Sequence, residues 1–313
     1  MGTPAFAVPP LRVLLGAGFE IPAVVTVPDK PSGRGLQVHE SEVKKFAEEK
    51  KLRIIQPVNL KDNSFIDELK KIQPDLIVVV AFRILPKEVF TLPKFGSVNL
   101  HASLLPKYRG AAPINWAIIN GEKVTGVTTF FLKEKIDTGN IIAQKKCLIE
   151  DEDNAGTIHD KLTSIGAELL LESVQQIQNL NGNIKLETQK ESDVSFAPKI
   201  TKKVCRINWS ESGERIHNLI RGLSPYPCAY SLLDDKAVKI FRSKVDSENL
   251  QANEAGKIFL SGGKLLVSTN NGSMEHGVFS AIEILELQLE GRNKVSAKDF
   301  INGYPNLDQK IFF

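Results

Sequence analysis

An α/β domain followed by a small all-β domain is what this sequence predicts, on three observations. Up to residue 188, short apolar runs alternate with stretches whose apolar residues recur at helical spacing, the pattern of a sheet covered by helices. From residue 189 to 206 that periodicity is lost. Beyond it come short apolar runs separated by Asp-Asp, Gly-Gly and Asn-Asn-Gly turns, which is hairpin chemistry. The first part is read as a Rossmann-like, mostly parallel sheet at residues 1–188 and the last as an OB-like β-barrel at 208–313. Residues 189–207, with Lys199, Lys202 and Lys203, are read as a linker of basic bias.

The elements follow in order. Residues 9–18 read as a helix, with Leu11, Leu14 and Leu15 apolar and Gly16 or Gly18 ending it. A short strand is expected at 24–27. Residues 28–35, P-D-K-P-S-G-R-G, form a loop by every local rule. It is either a plain surface turn or a nucleic-acid contact through Lys30 and Arg34. Residues 41–50 read as a polar helix burying Val43, Phe46 and Ala47, and 59–71 as a second, with Ile66, Leu69 and Ile72 inward. Between them 54–55 is a short strand. The continuous apolar run 76–81 belongs mid-sheet, and 82–86 leaves it. Residues 110–119 lead from a loop into a helix whose Trp116 is expected in the core. Strands follow at 127–132 and 141–144. Thr157 with Asp160 gives a capping-box-like start to a long helix. A helix at 210–221 is ended by Gly222. The β runs are 229–233, 238–245, 257–260, 264–268 and 281–289. Lys236, Lys239, Arg242 and Lys244 make either a solvated strand face or a phosphate contact.

Composition narrows the function. The chain has 313 residues, a net charge of +3 and 42% hydrophobic residues, an ordinary globular mixture of about two domains. The slight basic excess permits a polyanionic partner without demanding one. Cys147, Cys205 and Cys228 are widely spaced, against a disulfide framework or a zinc site and in keeping with a reducing cytoplasm. No apolar run approaches a membrane span, and the start lacks a signal-peptide pattern. Gly16-Ala17-Gly18 is followed by Phe-Glu rather than a helix start, so a dinucleotide site is not expected. No H-E-x-x-H pattern or Cys/His cluster suggests a metal.

Residues 97–110 read S-V-N-L-H-A-S-L-L-P-K-Y-R-G. Asn99 and His101 alternate with Val98 and Leu100, so the amide and the imidazole share one face of a strand that then breaks into a loop. Open α/β sheets place chemistry at such strand ends. Downstream, K-I-D-T-G puts the Asp137 carboxylate in a turn. These are the parts needed for acyl transfer to an amine. Asn99 and His101 are donors for a developing oxyanion, and Asp137 is an acceptor for the proton the amine loses. Arg109 either anchors an anion or holds the loop.

The run N-L-H-A-S-L-L-P, then R-G-A-A-P-I-N-W, then D-T-G, resembles the folate-dependent formyltransferases, in the branch that acts on methionyl initiator tRNA. The resemblance extends from Met1-Gly2-Thr3-Pro4 to Ile216-His217-Asn218. It implies 10-formyltetrahydrofolate as co-substrate, no metal, and catalysis by Asn99, His101 and Asp137. It implies a folate pocket lined by Phe82, Leu85, Ser103, Leu104, Leu105 and Pro106. Residues 28–35 look like the insertion loop that grips the tRNA acceptor end, with Arg34 on the matching G-R-G. Lys30, Arg34, Lys202 and Lys203 are thus the expected tRNA contacts, and a monomer is expected. The competing acceptor is an amino sugar nucleotide or other small amine; a folate- or RNA-binding module without turnover is the competing class. In the family an apolar strand precedes the G-T-P turn. Here the chain opens at that turn, so the sheet is expected to lack its first strand.

Overall fold

The computed structural model describes residues 1–32, 37–252, 254–270, 278–304, 306–308 and 310–313. In chain order the elements are α1 (Val8–Gly16), β1 (Val24–Val25), β2 (Lys30–Ser32), β3 (Gln37–His39), α2 (Glu42–Glu49), β4 (Ile54–Ile55), α3 (Asn63–Ile72), β5 (Ile77–Val80), α4 (Lys87–Phe90), β6 (Ser97–His101) and β7 (Arg109–Gly110). There follow α5 (Pro113–Ile119), β8 (Val124–Phe131), β9 (Ile141–Leu148), α6 (Ala155–Asn179), β10 (Phe196–Ala197), α7 (Lys202–Cys205) and α8 (Gly213–Leu223). The chain ends with β11 (Ala229–Leu233), β12 (Lys236–Gln251), β13 (Ile258–Ser261), β14 (Lys264–Thr269), β15 (Val278–Leu289), β16 (Val295–Ser296) and α9 (Ala297–Gly303).

Contacts divide the chain into two compact units. The first comprises 1–113, 124–148 and 159–196; the second comprises 114–123, 149–158 and 197–313. The units are therefore interleaved in sequence, where the expected split was contiguous. Nor are residues 189–207 an open linker. Gln189 is buried, and Cys205 and Ile207 join the core of the second unit. Side-chain bonds and burial order this stretch where periodicity is absent.

In the first unit, β5, β6, β8 and β9 form a sheet in that order. β5 and β6 are parallel; β6–β8 and β8–β9 are antiparallel. β1 and β4 form a separate parallel pair. Met1 and Gly2 connect the two: the Gly2 N–H donates to the Val25 carbonyl at 3.0 Å and the Val80 N–H to the Met1 carbonyl at 2.9 Å. An apolar cavity lies between β1 and β5, lined by Met1, Leu14, Val24, Val25, Ile77 and Val80 among others.

Caps set the helix ends. The Ser41 hydroxyl accepts from the Lys44 N–H at 3.0 Å and starts α2. α6 begins at Ala155, capped by Asn154, whose side-chain oxygen accepts from the Gly156 and Thr157 N–H groups at 2.8 and 3.0 Å. The helix thus starts ahead of the expected Thr157–Asp160 cap, because Asn154 caps it and Thr157, in its first turn, accepts from the Asn154 N–H at 2.9 Å. The expected loop at 28–35 contains a ladder: Lys30, Pro31 and Ser32 pair with His39, Val38 and Gln37. A two-stranded ribbon tolerates Pro31, since a strand with an unpaired side can do without one N–H.

In the second unit, β11, β12, β15, β14 and β13 form an antiparallel sheet in that order, with β16 on β15. The tail joins its two ends. Leu232 and Phe313 exchange backbone bonds of 2.8 and 2.9 Å, and the Ile258 N–H donates to the Lys310 carbonyl at 2.7 Å. The result is a closed, barrel-like sheet. Phe312, 2% exposed, stacks on Trp209 with ring centroids 5.5 Å apart. α8 runs through Gly222 instead of ending there. A Cβ at Gly222 would stand 2.6 Å from Ile119 Cγ1, so the glycine serves a close approach. Trp116, expected in the core, is only half-buried; its indole N–H reaches the Pro198 carbonyl at 2.7 Å. Lys236, Lys239 and Lys244 are exposed, and Arg242 pairs with Glu286 and Glu152 at 3.7 Å each.

Candidate active site

β6 is an interior strand whose Val98 and Leu100 are buried, so the alternating Asn99 and His101 share its other face. Asn99 is half-buried, and its amide has no protein partner among the described residues. His101 is 7% exposed, and its Nε2 lies 2.9 Å from the Tyr108 carbonyl. A carbonyl only accepts, so Nε2 carries the hydrogen. Nδ1 then faces Asp137, 3.8 Å from Oδ2. The same Oδ2 accepts from the Gly110 N–H at 2.8 Å. The structure therefore brings His101 and Asp137 together.

The turn carrying Asp137 is tightly specified. Asp137 has a left-handed φ of +53°, sparsely populated for a residue with a side chain. A Cβ on Gly139 would lie 1.5 Å from the Phe131 carbonyl oxygen, so only glycine lets the turn pass β8. Arg109, 5% exposed, does not face a free anion. Its Nε and Nη2 donate to Gln189 Oε1 at 3.0 and 2.8 Å, and Nη2 also meets Glu191 at 3.1 Å. Of the two readings left open for Arg109, the loop-holding one fits. Gln189, read from sequence as linker, is the residue that reasoning missed.

The expected folate residues divide. Ser103 is fully buried with its hydroxyl on the Lys107 carbonyl at 2.7 Å. The Leu105 N–H donates to Thr128 Oγ1 at 3.1 Å, and Thr128 in turn donates to the Ser103 carbonyl at 2.6 Å. Leu85 and Leu105 are core residues at 7% and 3% exposure. Those side chains shape the loop. Phe82, Leu104 and Pro106 are half-buried, leaving them as the accessible candidates. Of the expected tRNA contacts, Lys30, Lys202 and Lys203 are exposed, and Arg34 lies outside the described residues. No group of three or more His, Cys, Asp or Glu among the described residues is placed to hold a metal. No helix of the described residues is long and apolar enough to cross a membrane.

Comparison with known proteins shows the family. Residues 15–174 match the model of the family described as formyl transferase, and residues 199–305 match that of the formyl transferase C-terminal domain. The chain belongs to the formyl transferase family. A methionyl-tRNA formyltransferase of Flavobacterium johnsoniae is 44% identical over 314 residues, covering 99% of this chain and 96% of that one. Another, of Thermodesulfovibrio yellowstonii, is 46% identical, covering 96% and 94%. Among solved structures, an N-formyltransferase of Helicobacter canadensis in complex with folinic acid and dTDP-3-aminofucose has a TM-score of 0.64 at 23% identity, covering 90% of this formyl transferase and 97% of that chain. That likeness speaks to the fold alone.

Proposed function

We propose that this chain transfers a formyl group from 10-formyltetrahydrofolate to the α-amino group of methionyl initiator tRNA, giving N-formylmethionyl-tRNA for translation initiation in the cytoplasm. Relatives of that name at 44% and 46% identity, matched over nearly their full length, support the acceptor. The observation that carries the chemistry is the unpartnered Asn99 amide on the same strand face as His101, whose Nδ1 lies 3.8 Å from Asp137 Oδ2.

The donor set fits the co-substrate: it offers a free amide donor, a buried imidazole and a carboxylate. The folate supplies the formyl group as an activated amide. Asn99 has an N–H free to meet negative charge developing on the formyl oxygen, and fixed donors of this kind commonly supply the largest catalytic contribution. Asp137, on the far side of His101 from the Tyr108 carbonyl, accepts the proton that the attacking nitrogen must lose. The Gly110 N–H donates to Asp137 Oδ2 and fixes the direction in which that carboxylate points. Exposed Lys30, Lys202 and Lys203, with Arg34, are the cations offered to tRNA phosphates.

One assay tests the reading. The protein is incubated with 10-formyltetrahydrofolate and, separately, methionyl-tRNA, free methionine and an amino sugar nucleotide. Formylation of methionyl-tRNA alone is expected; formylation of the sugar nucleotide in its place refutes the acceptor. Asp137→Asn is expected to lower kcat at least about a hundredfold, and Asn99→Ala to raise the barrier by about 2.7–4 kcal/mol. Wild-type turnover in Asp137→Asn removes that residue from the mechanism.

A further inference from the structure

We infer that Gln189 is a positioning residue for Asp137: its side-chain amide clamps the turn that aims the carboxylate, and Arg109 locks that amide in place. The inference rests on the reading of Asp137 as the proton acceptor. Gln189 is 7% exposed and makes four hydrogen bonds. Its Nε2 donates to the Asp137 carbonyl and to the Gly139 carbonyl, each at 2.8 Å. Its Oε1 accepts from Arg109 Nε at 3.0 Å and Nη2 at 2.8 Å. The amide cannot be turned around. A guanidinium only donates and a carbonyl only accepts, so oxygen must face Arg109 and nitrogen the turn.

Pairing sets up this contact. Ile141 and Glu187 exchange antiparallel backbone bonds of 2.8 and 2.9 Å. Two residues back from Ile141 is Gly139, and two on from Glu187 is Gln189, so the register delivers the amide to the turn. The bonds then close a loop. Gln189 grips the backbone of Asp137, Arg109 grips Gln189, and the peptide N–H just past Arg109, that of Gly110, grips Asp137 Oδ2. Backbone and carboxylate of one residue are thus tied to one dipeptide. This is the restraint a left-handed Asp137 at φ +53° calls for, since such a conformation persists where its surroundings over-determine it. Only an amide serves here, because one end must donate twice and the other accept twice. Glutamate supplies the acceptors without the donors.

The test uses Gln189→Ala, Gln189→Glu, Asp137→Asn and the double variant Gln189→Ala/Asp137→Asn. Steady-state kinetics are measured on methionyl-tRNA and 10-formyltetrahydrofolate, with folate affinity by titration. Both Gln189 variants are expected to lose kcat by up to about a hundredfold, the scale of misplacing a reacting group by about 1 Å, with folate affinity unchanged. The double variant is expected to be no slower than Asp137→Asn alone, since the clamp has no purpose once the carboxylate is gone. Wild-type kcat in both Gln189 variants, or losses that multiply in the double variant, overturns the inference while leaving Asp137 in its role. Wild-type kcat in Asp137→Asn overturns the reading of Asp137 and the inference with it. If Gln189→Ala does not fold, Gln189→Glu, of matching length, decides. Failure of both to bind folate makes Gln189 a residue of the fold alone and also refutes the positioning role.

Discussion

Joining about five apolar residues, a usual strand length, ahead of Met1 is expected to stabilise the first unit, most strongly in mild acid. The Met1 amine donates to the Val78 carbonyl at 2.6 Å beside the apolar cavity between β1 and β5. Burial pulls its pKa from 8.0 down to about 5. A depressed folded-state value means stability is complete above pH 8 and falls as pH drops toward 5, because the unfolded chain binds the proton first. Each unit is worth about 1.4 kcal/mol. The loss is therefore on the order of 1 kcal/mol at pH 7 and a few kcal/mol by pH 5. An extension replaces the amine with an amide N–H that does not titrate. Burial of each added side chain, about 1.5–3 kcal/mol, is largely offset by ordering of backbone and side chain, about 1.5–3 kcal/mol. The amine thus dominates the difference. For a unit of this size a loss on the order of 1 kcal/mol corresponds to roughly 2–4 °C. Thermal unfolding of both chains between pH 8 and pH 5 measures it. A gap in melting temperature that does not widen as pH falls refutes the argument.

Three further outcomes are expected. Phe312→Ala is expected to cost about 3–5 kcal/mol, the range for a buried aromatic, read as loss of near-ultraviolet dichroism from Trp209; a cost below about 1 kcal/mol would mean the tail does not hold the barrel closed. Burial lowers the pKa of His217 from the ordinary imidazole value of 6.5, so its contribution is full above pH 6.5 and lost as pH falls below it; His217→Gln is expected to flatten the acid side of the melting curve, and an unchanged slope counts against it. Lys30→Ala and Arg34→Ala are expected to raise the KM for methionyl-tRNA at low salt, with an effect that shrinks as salt rises and with folate affinity intact; an unchanged KM would end the role of that loop.

Much of the site is legible in the sequence because its logic is local. Asn99 and His101 reveal themselves by period-two alternation, and β11 falls on the expected 229–233 because the short run is bounded by Pro227 and the Asp234-Asp235 turn. That Asp137 lies near His101 follows from two motifs read together. Gln189 is invisible by the same means. It sits where periodicity has vanished, and its partners Asp137, Gly139 and Arg109 lie 50 to 80 residues away. The start of α6 is misplaced by two residues because Asn154 caps it and Thr157 lies in its first turn, a choice that local patterns leave open. The interleaving of the units escapes notice for a related reason. Residues 114–123 and 149–158 carry no mark of which core will take them up.

Closure of the second unit by Lys310–Phe313 has a consequence for biosynthesis. Of the described residues these emerge from the ribosome last. Until they do, β11 and β13 each present a row of unpaired backbone groups, the template for unwanted strand pairing. Every contact the tail makes spans a long stretch of chain: Phe313 with Leu232, Lys310 with Ile258. Such non-local closures form slowly. The nascent second unit therefore keeps both edges open until Lys310–Phe313 arrive, and the time between synthesis of β13 and arrival of Phe312 at Trp209 is the interval in which those edges are open to wrong partners.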